Sequence, residues 1–479
     1  MADDDDGLVA QLRSIAGDSA VQAGVDVRPD DTHDEALTTV PASPRAVVRP
    51  VDAGQVSAIL ALASELGVTV VARGSGTGLS GGCRPDPAGI VVAFDAMDRV
   101  LEVDADNQVA VVQPGVTLGQ LEEALAPYGL TYPVAPGEQS ASVGGTVATN
   151  AGGMRAVRDG VTRHHVLGLE AVLADGSVIR TGGKLVKTSV GYDLTQLLVG
   201  SEGTLALVTE VTLKLQPRRP HRATLLAPFG ELGRVARAVP ALVQAGLAPA
   251  VLEYLDALTM ASVTSSAGVE LGVAADVAAA SACYLVVVLE GFNDDRLGAD
   301  VETAGELLAQ LGALDVFVLS AGAGAALVAA RERAFYVAKA AGADDIVDAV
   351  VPRAAIPDYL ASVAALADEH GALVTGCGHV GDGNVHLSVF LPDPSARGAL
   401  LRRLFAGARA LGGEVSGEHG LGSEKRPYFL ELADPAVLDL LGRIKAAFDP
   451  RGILGPGRGA APSAGPGELA VPAASTAER

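Results

Sequence analysis

The chain has 479 residues, 58 glycines, three cysteines, no tryptophan and a net charge of −22. That length allows two or three domains, and the acidic balance with few aromatic residues excludes a nucleic-acid partner. Residues 1–6 are acidic, unlike a secretory signal, and no apolar run is long enough to span a bilayer, since the stretch 273–289 carries Asp276 and reads as a helix end plus a buried strand.

Asp52, with Gln55 three residues on, forms a capping box for a helix. Val56, Ile59, Leu60, Ala63 and Leu66 then recur at helical spacing until Gly67 stops it. A strand over 68–72 runs into Arg73-Gly74-Ser75-Gly76-Thr77-Gly78-Leu79-Ser80-Gly81-Gly82. Strands follow over 90–94, 100–103 and 109–112, the last two joined around Asp106-Asn107. Thr117 and Gln120 cap a second helix carrying Leu118, Leu121 and Leu125. Segments 169–173 and 178–180 flank Asp175-Gly176 as a hairpin, and 205–215 is a strongly β-branched run. Arginines and prolines over 218–222 mark a domain boundary. Beyond it, Ala-rich helices alternate with apolar strands such as 284–289, the pattern of an α+β domain with an antiparallel sheet. After about Gly455 apolar anchors are few, and the chain reads as a disordered tail.

Gly76-x-Gly78-x-x-Gly81 matches a dinucleotide fingerprint and follows a strand, but that fingerprint needs a helix opening at the loop. Cys83-Arg84-Pro85-Asp86-Pro87 comes next, and two prolines at that spacing do not start a regular helix. A nest of backbone N–H groups holds a pyrophosphate without one. Three more polar, glycine-rich clusters follow, around Pro136–Gly153, Lys187–Leu194 and Gly200–Thr204. One large cofactor touched by several loops accounts for all four better than unrelated turns do.

Near the end lie two boxes, Cys377-Gly378-His379-Val380-Gly381-Asp382-Gly383-Asn384-Val385-His386 and Val415-Ser416-Gly417-Glu418-His419-Gly420-Leu421-Gly422. His379 and His386 would point to opposite faces of a single strand, because their spacing is odd. The Gly-Asp-Gly-Asn turn between them lets both imidazoles converge. Two imidazoles and a carboxylate suit a divalent metal with positions left open, and a ligand beside a proton acceptor recurs in catalytic metal sites. Histidines flanking a turn are otherwise hydrogen-bonded loop residues. Cys83, Cys283 and Cys377 form no C-x-x-C pair, which points to a reduced cytoplasm and against an iron–sulfur cluster in this chain.

These boxes, with Val161-Thr162-Arg163 and the closing Asp449-Pro450-Arg451-Gly452-Ile453-Leu454, resemble the FAD-linked 2-hydroxyacid dehydrogenases of the vanillyl-alcohol-oxidase/PCMH superfamily, over roughly residues 35–457. The similarity is to the glycolate oxidase flavin subunit, D-lactate dehydrogenase and D-2-hydroxyglutarate dehydrogenase. It implies an α+β fold: an N-terminal segment (1–36), a PCMH-type FAD-binding domain of two α+β subdomains (37–218), an α+β cap with an antiparallel sheet over the substrate (219–415), a segment returning to the FAD (416–455) and the tail (456–479). It further implies that Arg73, Gly74, Ser75, Gly76, Thr77 and Gly78 hold the pyrophosphate, and that Pro136, Gly144, Gly145, Thr149, Asn150, Gly153, Gly203 and Val208 lie along the flavin. Thr77 stands where some relatives carry a flavin-linking histidine, so noncovalent FAD is expected. His379, His386 and Glu418 would ligate a divalent ion, zinc first, with iron or manganese as alternatives. His419 would be the base and Arg331 the carboxylate anchor, with hydride passing to flavin N5.

The implied reaction is oxidation of a D-2-hydroxyacid to the 2-oxoacid, D-lactate or glycolate being favoured. Dicarboxylate enzymes place a lysine where this chain has Ile346, and Leu-Asn where it has Leu387-Ser388. Alternatives are D-2-hydroxyglutarate dehydrogenase, an alkylglycerone-phosphate-synthase-like FAD transferase, a nonenzymatic flavin subunit and a metal-dependent hydrolase. Electrons would leave to a separate acceptor: a quinone, a cytochrome, an electron-transfer flavoprotein or an iron–sulfur subunit. A cytoplasmic protein, peripheral at the inner membrane face or free of it, is expected, with a homodimer left open.

Overall fold

The computed structural model describes residues 2–462. Three larger sheets organise them, beside a two-stranded pairing of Leu130–Thr131 with Gln216–Pro217. The first is four-stranded, in the order Val21–Ala23, Ala46–Val48, Ile90–Ala93, Val70–Arg73, with the last three strands parallel. Its core joins Val48, Val70, Ile90 and Val92 to Ile59 and Leu60 of the helix Ala53–Leu66. Leu8 and Leu12 of the helix Ala2–Ala16 are buried in the same core, so the N-terminal segment is built into this layer rather than standing apart.

The second sheet is antiparallel: Val100–Asp104, Val109–Val112, Leu207–Lys214, Val166–Val172, Val178–Gly182. Both of its expected hairpins form. The helix Leu118–Leu125 packs on it, opened by a reciprocal Thr117/Gln120 capping box. Asp52 caps its helix by accepting the Gln55 N–H, but the expected box is not reciprocal: the Gln55 side chain accepts the N–H of Val51 rather than that of Asp52. The strand expected from residue 68 starts only at Val70, because Gly67 (φ 66°) turns the chain and Val68 donates its N–H to Ala63 at the helix end.

The third sheet has seven antiparallel strands: Phe317–Leu319, His221–Phe229, Cys283–Gly291, Val251–Asp256, Leu373–Gly378, Asn384–Phe390, Asp345–Val350. It begins within the expected boundary at 218–222. A core of Leu225, Leu285, Val347, Tyr359 and Leu404 lies under it. The stretch 273–289 resolves into the helix Ala275–Ala280 and the strand Cys283–Gly291. The chain then returns to the first sheet, where Val70 donates to Ile453 and Gly455 donates to Val70. Within the expected tail, Arg458 is buried and donates to Arg84 O; residues 463–479 lie outside the described residues. Among the described residues no helix is long and apolar enough to cross a membrane.

Candidate active site

The loop after the strand Val70–Arg73 enters no helix before the strand at Ile90. It turns instead through Gly76 (φ 78°) and Gly81 (φ 77°). Ser75 Oγ accepts the N–H of Ser142, which itself caps the short helix Val143–Thr149. The two loops approach so closely that a Cβ on Gly74 would run into Ser142 Oγ. Between them opens a cavity of about 600 Å³. Gly74, Ser75, Gly76, Thr77 and Gly78 line one part of it, and Pro136, Gly144, Gly145, Thr149, Gly203 and Val208 another.

Three residues expected at the cofactor stand behind this wall. Arg73 donates to His33 O (2.7 Å) and lies 3.5 Å from Asp31, bracing the loop. Asn150 takes a left-handed conformation (φ 52°) and accepts the N–H of Arg163. Gly153 (φ 122°) packs on Ala135 O, where a side chain has no room. Their part is to shape backbone rather than to line the cavity.

The other wall of the same cavity carries Arg331, His379, His386, Glu418 and His419. Strands Leu373–Gly378 and Asn384–Phe390 form a hairpin with Cys377 opposite His386. His379 lies in the turn, so the two rings meet edge to face at 4.9 Å. His379 Nε2 lies 3.1 Å and His386 Nε2 3.3 Å from Glu418 Oε1. These three residues offer ligand atoms within 4.8 Å of one another, as do Asp348, His386 and His419. The His419 ring stacks on His386 at 5.1 Å.

Buried carboxylates support this group from outside. Glu253 Oε1 lies 2.5 Å from His379 Nδ1, and Glu253 Oε2 lies 2.8 Å from Arg331 Nη2. Asp348 Oδ1 faces His386 Nδ1 at 3.7 Å, and Oδ2 faces His419 Nδ1 at 3.8 Å. With Nδ1 turned to carboxylates, Nε2 of His379 and Nε2 of His386 both face Glu418 Oε1, a placement like that of carboxylate–histidine–metal triads. Asp348 also accepts the N–H groups of Gly417, Glu418 and His419, and pairs with Lys425 at 3.1 Å. From the opposite domain, Glu202 accepts the N–H groups of Leu421 and Gly422. The loop 416–422 is therefore held between two carboxylates. Sequence reading passed over Glu253, Asp348, Glu202 and Lys425 as functional residues. The available signal was a carboxylate in the middle of an apolar strand, Leu252-Glu253-Tyr254 and Val347-Asp348-Ala349.

Burial opposes the charge on Glu418, but the His379 and His386 partners outweigh it and hold its carboxyl well below the usual range. Burial likewise opposes the His379 cation, and Glu253 and Glu418 raise its imidazole well above the ordinary value. His419 differs: burial pushes it down to about 4, with Lys425 adding to the effect and Asp348 only partly offsetting it. It is neutral at physiological pH. Arg331 lines the cavity, and its Nε is buried without a hydrogen-bond partner.

The cavity fits FAD by its glycine-walled cradle, and the cluster fits a divalent ion by its donor set. An antiparallel-sheet cap closed over such a cradle defines a PCMH-type flavoprotein, the fold of p-cresol methylhydroxylase, whose substrate-bound structure matches 95% of this chain and 96% of its own at TM-score 0.78 and 17% identity. Residues 44–182 match the FAD binding domain and residues 218–458 the C-terminal domain of FAD linked oxidases. An uncharacterised FAD-linked oxidoreductase of Mycobacterium tuberculosis is 52% identical over 94% of this chain and 98% of its own. The D-lactate dehydrogenase of Archaeoglobus fulgidus is 38% identical (86% and 90%), and the glycolate oxidase subunit GlcD of Bacillus subtilis 37% identical (87% and 88%). The chain belongs to the FAD-linked oxidase family and is an FAD-linked oxidoreductase.

Proposed function

We propose that this oxidoreductase converts a D-2-hydroxyacid to the 2-oxoacid, with noncovalent FAD and a divalent ion, zinc before iron or manganese. The observation that carries it is the meeting of His379 Nε2, His386 Nε2 and Glu418 Oε1 beside the unpartnered Arg331 Nε, on the wall of the cavity that the glycine loops form. When bound, FAD supplies the hydride acceptor and the ion a Lewis acid that lowers the pKa of a coordinated hydroxyl. Arg331 anchors the substrate carboxylate by charge-assisted hydrogen bonds. Its pairing with Glu253 fixes the guanidinium in place before substrate arrives. His419, neutral through burial, accepts the hydroxyl proton. Asp348 sets the position of that base through the backbone N–H of His419. Electrons then leave to a separate acceptor, as in an oxidase or dehydrogenase of this family.

The names of the Archaeoglobus and Bacillus relatives support D-lactate and glycolate as the type of substrate. Ile346 and Ser388, both on the cavity wall, offer no cation for a second carboxylate, which weighs against a dicarboxylate. An anaerobic visible spectrum tests the reading. The flavin band of the purified, metal-loaded protein bleaches on adding D-lactate or glycolate; a band that no 2-hydroxyacid bleaches overturns it.

A further inference from the structure

Beyond the His/Glu cluster the cavity continues along the face of the cap sheet. His386, Ser388 and Phe390 alternate onto one face of the strand Asn384–Phe390. Across the ladder Asp348 stands opposite His386, Ile346 opposite Ser388, and Leu373 opposite Phe390. The face therefore steps outward in rows about 7 Å apart, two residues at roughly 3.4 Å each. The first row is ionic. The second holds Ile346, Ser388 and Thr375, and the third Phe390 and Leu373, all lining the same cavity as Arg331. Leu258 and Phe335, from the helices Ala257–Ala267 and Ala334–Ala340, line it as well. Leu258 and Leu373 are about half exposed (49% and 51%), so this apolar trough opens to the surface. The cationic and imidazole side chains on the described cavity wall, Arg331, His379, His386 and His419, all belong to the ionic row and its neighbours.

We propose that this trough receives the substrate's side chain, and that the enzyme prefers 2-hydroxyacids with an apolar chain of two or more carbons to glycolate and to dicarboxylates. The proposal rests on the reading that the cluster oxidises a 2-hydroxyacid, and it adds which one. A carboxylate end would be desolvated against Ile346, Phe390 and Leu373 with no cation to pair it. Each methylene laid along them leaves water, which amounts to about fourfold in kcat/KM per methylene.

The test is a stopped-flow series on the FAD- and metal-loaded full chain, following anaerobic flavin bleaching by glycolate, D-lactate, D-2-hydroxybutyrate, D-2-hydroxyhexanoate and D-2-hydroxyglutarate. The expected result is a steady climb with chain length, D-2-hydroxyhexanoate exceeding D-lactate by roughly fiftyfold, with D-2-hydroxyglutarate below D-lactate. Ile346→Lys places a cation in the second row. It is expected to raise the ratio of D-2-hydroxyglutarate to D-2-hydroxyhexanoate at least about tenfold, with FAD content unchanged. Bleaching by D-lactate or glycolate without a climb, or a wild-type preference for D-2-hydroxyglutarate, overturns the trough as side-chain site and leaves the hydroxyacid reading standing. Bleaching by none of the five overturns both.

Discussion

Glu253 Oε1 lies 2.5 Å from His379 Nδ1, while the other oxygen of the same carboxylate faces Arg331. One buried side chain thereby orients both the imidazole proposed to bind the metal and the guanidinium proposed to anchor substrate. Glu253→Gln keeps the shape and removes the charge. It is expected to weaken metal binding by about ten- to hundredfold while FAD content stays at the wild-type level. Metal titration followed by elemental analysis checks the first, and the flavin absorbance ratio the second.

Asp348 and Lys425 are both buried, and Lys425 has no other carboxylate in the described ion pairs. Asp348→Ala leaves that ammonium unpaired and releases three backbone N–H groups of the loop 416–422. The expected cost is about 3–5 kcal/mol of stability, read as a lower denaturation midpoint. The double variant Asp348→Ala/Lys425→Met removes the stranded charge and is expected to recover part of that loss.

Glu202 binds the same loop from the FAD side through Leu421 N and Gly422 N. Glu202→Ala frees one edge of the segment that carries His419. Flavin reduction by substrate is expected to slow by about ten- to hundredfold with KM changed less. An unchanged reduction rate would show that Asp348 alone positions the loop.

His419 is held near 4 by burial, below the 6.5 of an unperturbed imidazole. The unfolded chain therefore takes up this proton first as pH falls. Stability from this group is full above about pH 6.5 and drains away toward pH 4. For the reaction, a base already neutral leaves kcat/KM for flavin reduction without a limb from this group between about pH 6 and 8. His419→Ala is expected to lower that rate by about 10²–10⁴-fold while flavin and metal remain bound.

Gly144 faces the cavity, and a Cβ there would sit 2.6 Å from Pro114 Cβ and 3.0 Å from Pro114 O. Pro114 is backbone-bonded to Gly144 and cannot retreat easily. Gly144→Ala is expected to push the wall inward and leave protein purified with less than half the wild-type flavin. The ratio of flavin to protein absorbance measures it, and supplementing FAD restores binding only in part.

Much of this was legible in one dimension. The Asp52 and Thr117 caps, the hairpins around residues 106 and 175, and the turn between His379 and His386 depend on residues a few positions apart, and local backbone chemistry decides them. The two prolines after Gly82 excluded a helix at the first glycine loop, and none forms. The seven-stranded order was not legible. Neither were Glu253, Asp348 and Glu202, whose partners lie 126, 71 and 219 residues away. A carboxylate in an apolar strand carries no label saying which imidazole it will meet; register and sheet order choose the partner. The sequence by itself determined which side chains could bind a metal, accept a proton or cradle a phosphate. Only the tertiary structure decided that they share one cavity, because that follows from packing one domain's glycine loops against another domain's sheet face.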